Sequence, residues 1–315
     1  MSEASFNAVN YSLRPSKTIQ RALVFEGLSR LQDVLDLAKA TYVGFGSIWF
    51  TDFVLAHRTL RISRMVSIEA NEVGYKRAKF NKPYRFVRVE HGYSFDLLPG
   101  ILAEVKAASQ PLILWLDYDK RLGLDEADEI RDIVENAPDN SVLLVTFDAS
   151  DKKYGGDRPE KLAELRELFG RTAPDKLERT QQKDLPFGQL MATLTSELIL
   201  STAKDVDRQC YPAFKIVYRD KATMATVGAI LPSKDNAAAV TRRVGAKDWP
   251  GLVIEPVVAP HLTQRETSVL QSKLPSPRAM SRATVRSLGF DLEEDQIRVF
   301  QTFYRHYPMF AQIFA

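Results

Sequence analysis

Apolar positions along this chain come in blocks, and the spacing within the blocks switches repeatedly between helical and extended. Ile19, Leu23, Leu28, Leu31, Leu35 and Leu37 recur at helical intervals and predict a helix over 18–38 capped by Ser16. Pro15 holds Arg14 in an extended conformation ahead of it. A short apolar run at 41–46 predicts a strand, with a helix over 48–60 and a second strand over 64–69. The basic segment 71–82 is helical in part and ends at Pro83. A third strand is predicted at 84–89, then a loop over 92–99 and a helix over 100–108. Residues 111–116 form an unbroken apolar run, as expected of a strand covered by helices on both faces. An amphipathic helix at 124–134 and a fifth strand at 141–147 continue the alternation, with helical pieces at 159–169 and 187–201. Residues 214–218 and 223–231 are strands separated by only four residues. That gap is too short for a parallel crossover, so the two form an antiparallel hairpin at a sheet edge.

This order predicts a three-layer α/β domain over 38–232, preceded by a lead-in and helix over 1–37. Residues 233–315 read as a linker and helical appendage. Short helices are expected at 237–244, 262–274, 281–288 and 293–304, and an irregular stretch at 249–261. Thr263 followed by Glu266 is a capping-box pattern. The aromatic end, 306–315, is expected to dock on the core.

The chain has 315 residues, 45% of them hydrophobic and 26% charged, with a formal charge of +3. These values describe a globular protein that can bury a sizeable core. Its one cysteine, Cys210, excludes an internal disulfide framework and a cysteine-based zinc cluster, and reads as an ordinary buried residue in a reducing compartment. The polar start lacks a signal-peptide pattern, and no stretch reaches about 18 apolar residues. A cytoplasmic protein without membrane contact is expected.

Candidate chemistry gathers at the predicted strand ends. Gly44-Phe45-Gly46-Ser47 forms a glycine turn between strand and helix, and Glu69 closes the second strand, where a ribose acceptor would stand. A dinucleotide site prefers a third glycine, but Trp49 and Phe50 occupy that place, and no G-x-x-x-x-G-K-[ST] motif is present. A sulfonium nucleoside, lacking pyrophosphate, tolerates this looser turn. Asp52, on the following helix, reads as a solvent-facing acid.

The strand order, the glycine turn and the hairpin resemble the Rossmann-like S-adenosylmethionine-dependent methyltransferases, whose seven-stranded sheet ends in an antiparallel pair. The segments 11–17, 42–47, 80–83 and 115–119 resemble a bacterial group of O-methyltransferase type. The resemblance implies that Gly44, Phe45, Gly46 and Ser47 meet the methionine end of the cofactor. It likewise places Glu69 on the ribose and Gly92, Tyr93 and Ser94 beside the adenine. Tyr93 stands where many members carry an acid.

Asp117, Tyr118 and Asp119 end the fourth strand and are the candidate catalytic groups, with Asp117 as base or orienter. Asp148 ends the fifth strand at the same rim, and such acids could also hold Mg²⁺, a minor reading here. Arg14, Lys17 and Arg21 read either as a solvated helix start or as a cationic lid over an anionic ligand. The expected activity is methyl transfer to an unidentified acceptor, a small molecule, protein or nucleic acid, with a homodimer or multiprotein assembly open. Two alternatives stand beside it. One is a module that binds a nucleoside cofactor without transferring anything. The other is a nucleic-acid methyltransferase using the basic, aromatic-bearing residues 58–84.

Overall fold

The computed structural model describes residues 14–308. The lead-in over 1–13 and the end of the aromatic tail, 309–315, lie outside the described residues. The chain begins with α1 (Pro15–Leu35), then alternates β1 (Thr41–Gly44), α2 (Thr51–Leu60), β2 (Arg64–Glu69), α3 (Glu72–Asn81), β3 (Val87–His91), α4 (Ser94–Ala107), β4 (Leu112–Arg121), α5 (Leu124–Asn136) and β5 (Ser141–Asp148). Two helices, α6 (Arg158–Phe169) and α7 (Asp184–Asp205), lead into the hairpin β6 (Tyr211–Arg219) and β7 (Thr223–Leu231). Four short helices close the described chain: α8 (Lys234–Val244), α9 (Gln264–Gln271), α10 (Arg282–Ser287) and α11 (Glu294–Phe303).

One seven-stranded sheet runs in the order β3-β2-β1-β4-β5-β7-β6, with β7 antiparallel to both of its neighbours. Each face carries its own apolar layer. On one side α1, α2, α8 and the helices after 262 pack through Ile19, Leu28, Phe53, Val240, Leu270 and Phe300. On the other, α4 to α7 pack through Ile101, Ile130, Leu165 and Leu198. The fully buried β5, with all eight residues inside, separates the layers. The sheet predicted from pattern is therefore present, with its antiparallel edge.

Several boundaries differ from the sequence reading. The third strand starts at Val87, because pairing with β2 aligns Met65 with Val87. Tyr84 and Phe86 stack on each other at 5.1 Å and pack against His57 under the end of α2. The fourth helix starts at Ser94, not near 100, and carries Pro99 with its ring exposed. The fourth strand continues through both acids to Arg121, with a register shift after Asp117.

Ser16 does not cap α1. Arg14 occupies the cap position in an extended conformation, and Asp220 in the β6–β7 turn accepts the N–H groups of Ser16 and Lys17, each at 3.0 Å. The Ser16 hydroxyl instead donates to the Arg219 carbonyl at 2.9 Å and accepts from Ala259 N–H at 3.0 Å. The irregular stretch expected at 249–261 runs alongside β6, with Lys215 N–H donating to Gly251 O and Val257 N–H to Val217 O, both at 2.8 Å. It thereby covers an edge that would otherwise present unpaired backbone groups.

Candidate functional site

Between β1 and β4 the chain reverses its direction of travel across the sheet, and a crevice opens beyond the carboxyl ends of the strands. It is a cleft of about 700 Å³, within the range of small-molecule sites. Phe45, Gly46, Ser47, Glu69, Gly92, Tyr93 and Ser94 line it, as do Asp117, Tyr118, Asp119, Asp148 and the α1 cations Arg14, Lys17 and Arg21. Gly44 is not part of the lining. It packs below the turn, where a Cβ would approach the Trp115 carbonyl to 3.0 Å.

The turn after β1 is tight for a reason internal to the chain. Gly46 N–H donates to the Ser67 hydroxyl at 3.1 Å, and a Cβ at 46 would stand 2.5 Å from that oxygen and 2.6 Å from the Phe50 ring. Ser47 and Phe50 both adopt left-handed backbone angles, φ 53° and 50°. Such conformations are costly for residues other than glycine and cluster at functional turns. The Ser47 hydroxyl oxygen is buried and has no hydrogen-bond partner among the described residues.

Across the cleft, Glu69 accepts the Asn71 N–H at 2.9 Å. Burial pushes its carboxyl above the usual range, the Asn71 N–H opposes this, and the Asp119 charge adds to it. Pairing of Glu69 with His91 sets the next turn beside it, and Gly92 N–H donates to the Glu69 carbonyl at 3.1 Å. Gly92 has φ 154°. Tyr93 is 62% exposed and stacks on Phe95 at 5.7 Å.

The floor is ionic and buried. Lys17 Nζ lies 2.8 Å from Asp117 Oδ2, and Arg21 Nε lies 2.6 Å from Asp52 Oδ1. Burial works against the Arg21 charge, but Asp52 and Asp117 outweigh it and hold the guanidinium pKa above its ordinary value. Burial also raises the carboxyl pKa of Asp52, with Arg21 opposing. Lys17 and Arg21 are therefore engaged by carboxylates of this chain, and Asp52 is buried instead of solvent-facing. The pattern could not show this, because each acid lies on a different element from its partner.

Tyr118 turns to the opposite layer. Its hydroxyl donates to Glu129 on α5, its ring lies 5.6 Å from Phe45, and burial raises its phenol pKa. Asp117 and Asp119 flank it on the other side of the strand, Asp119 exposed. Asp148 accepts the Ser150 N–H at 2.9 Å. Among the described residues, no three His, Cys, Asp or Glu side chains stand together in a metal-holding group. Tyr218 on β6 also lines the cleft, and sequence reasoning missed it because only sheet order brings the edge hairpin to this rim.

The residues present fit a sulfonium nucleoside. Gly46 lines the cleft at the turn, the buried Ser47 hydroxyl lacks a partner among the described residues, Glu69 can accept from paired ribose hydroxyls, and carboxylates suit a positive sulfur. No helix of the described residues is long and apolar enough to cross a membrane.

Among solved structures, the chain is similar to the O-methyltransferase TomG of Streptomyces achromogenes in complex with SAM. The identity is 14%, covering 71% of this chain and 91% of that one, with a TM-score of 0.39. It is also similar to an O-methyltransferase of Bacillus cereus in complex with SAH, at 12% identity over 71% and 91%, TM-score 0.37. A third is Trm1 of Pyrococcus horikoshii with S-adenosyl-L-methionine, at 11% over 70% and 57%, TM-score 0.41. No curated protein matches the chain. Residues 9–315 match one family along nearly their whole length. With its seven-stranded sheet, the chain belongs to the family described as "Putative O-methyltransferase", within the Rossmann-like S-adenosylmethionine-dependent methyltransferases.

Proposed function

We propose that this chain transfers a methyl group from S-adenosylmethionine to an acceptor held at Asp117. The observation that carries the reading is the joint placement of the Gly46 turn, Glu69 and Asp117 around one cleft. In this reading Gly46 and Ser47 meet the methionine end, Glu69 the ribose, and the turn at Gly92, Tyr93 and Ser94 the adenine. When bound, S-adenosylmethionine supplies an electrophilic methyl on a positive sulfur, and displacement leaves a neutral thioether.

Asp117 is the group we assign to the acceptor's proton, as base or orienter. Lys17, at 2.8 Å, fixes its carboxylate in place from the α1 side. Tyr118, bonded to Glu129, forms part of the wall and is not the proton acceptor. Asp119 and Asp148 remain at the rim as further carboxylates.

A second reading, cofactor binding without transfer, draws support from the same Lys17–Asp117 pair, which already engages the carboxylate. The two separate on incubation of the pure protein with radiolabelled S-adenosylmethionine and cell extract. Label transfer that Asp117→Asn abolishes supports the enzyme. Cofactor binding with no transfer from any extract supports the binding module and sinks the enzyme. A nucleic-acid acceptor is disfavoured by the carboxylates along the cleft, and would require binding that weakens steeply with salt.

A further inference from the structure

The phenol of Tyr218 stands out among groups the reading above leaves unused. The residue is 1% exposed, lines the cleft, and has a hydroxyl without a hydrogen-bond partner among the described residues. A buried hydroxyl left unsatisfied is costly, and native structures rarely keep one without a use. Strand pairing explains its position. Asp148 on β5 aligns with Met224 on β7, and Met224 aligns with Tyr218 on β6, so one row crosses the sheet at the cleft rim. Arg21, Asp52, Asp117 and Asp220 line the same cleft as the phenol. Of these, Arg21 pairs with Asp52, and Asp220 accepts the N–H groups that open α1. Asp117 is the one placed at the proposed reaction site.

We infer that Tyr218 is an acceptor-binding residue, and that the acceptor presents a hydroxyl or amine to the Tyr218 hydroxyl beside Asp117. A group in that position shares a hydrogen bond with the phenol, which can donate or accept, and donates a hydrogen of its own to the carboxylate. Hydroxyls and amines do both, a protonated amine by donating to each oxygen, whereas an ionised carboxylate has no hydrogen to give. Carboxylates also outnumber cationic side chains along the cleft, although the whole chain carries +3, so an anionic acceptor meets like charge. The acceptor is therefore an uncharged or cationic alcohol, phenol or amine. This inference rests on the methyl-transfer reading of the cleft.

The test uses four fluorinated probes of matched size, 4-fluorophenol, 4-fluorobenzylamine, 4-fluorobenzoate and 4-fluorotoluene. Their ¹⁹F line widths are followed while the full chain, loaded with S-adenosylhomocysteine, is titrated in. The phenol and the amine should broaden and the benzoate should not. Tyr218→Phe should weaken the phenol and amine by about tenfold, the scale of one buried hydrogen bond. It should leave the toluene and S-adenosylhomocysteine affinity unchanged, a selectivity that a purely structural role for the ring would not produce. Tyr211→Phe, at the far end of the same strand, should change none of these. Benzoate binding as strong as phenol, or phenol binding indifferent to Tyr218→Phe, would overturn the inference. Failure of S-adenosylhomocysteine to bind at all would instead count against the methyl-transfer reading, and the same titrations on the protein alone would still judge Tyr218.

Discussion

Lys17 and Asp117 meet at 2.8 Å across 100 residues of chain, tying the first turn of α1 to the end of the central strand β4. Both side chains are largely buried, 9% and 14% exposed. Removing one partner strands a buried charge, whereas replacing both with apolar groups does not. Lys17→Met or Asp117→Leu alone should cost about 3 kcal/mol in urea unfolding, and the double variant clearly less than the sum. Additive losses would mean that the two groups are not coupled.

Gly46→Ala should strain the turn. The added carbon would sit 2.5 Å from the Ser67 hydroxyl and 2.6 Å from the Phe50 ring. A loss of about 1–3 kcal/mol is expected, together with weaker S-adenosylhomocysteine binding in calorimetry. Ser67→Ala in the same chain should recover part of the stability. An alanine variant as stable and as tight-binding as the parent would show that the glycine is dispensable.

Glu69 should impose a pH dependence of opposite sign on stability and on binding. Burial raises its pKa in the folded chain, so between the ordinary carboxylate range and that raised value the folded state holds more protons than the unfolded one. Its contribution to stability is present at the acid side and is lost as pH rises through the window. On the proposed reading Glu69 accepts from the ribose as a carboxylate, so cofactor binding should weaken as pH falls through the same window. Glu69→Gln should flatten both profiles, which melting curves and calorimetry across pH would check.

Cys210 should be inert in the folded protein. Burial pushes its thiol up to about 12, leaving little thiolate near neutral pH. Iodoacetamide should label it slowly in buffer and rapidly in denaturant, as read by mass spectrometry. Fast native labelling would contradict its placement.

Thr263→Ala tests a feature written locally in the chain. Thr263 accepts from Glu266 N–H at 3.2 Å, and Glu266 accepts back from Thr263 N–H at 2.8 Å. A loss of about 1 kcal/mol in chemical denaturation is expected. No loss would mean that α9 adds nothing to global stability.

That capping box was legible because its partners lie three residues apart. The apolar run at 111–116 and the four-residue gap of the hairpin were legible for the same reason: period and connection length are properties of neighbouring residues. The third strand was misplaced because Tyr84 and Phe86 look like strand residues, yet their rings are used against His57. Propensity there yielded to packing.

Read alone, the chain of residues determines the layered α/β architecture, the antiparallel edge, the glycine turn and the acid closing β2, since all are encoded in local spacing. Folding in three dimensions supplies the rest: Asp117 neutralised by Lys17, Arg21 by Asp52, α1 capped from Asp220, and Tyr218 brought to the cleft rim. Charges and hydroxyls carry no periodic signature of their partners. Which of them meet depends on strand order and register, and those are settled only when segments far apart in the chain pair across the sheet.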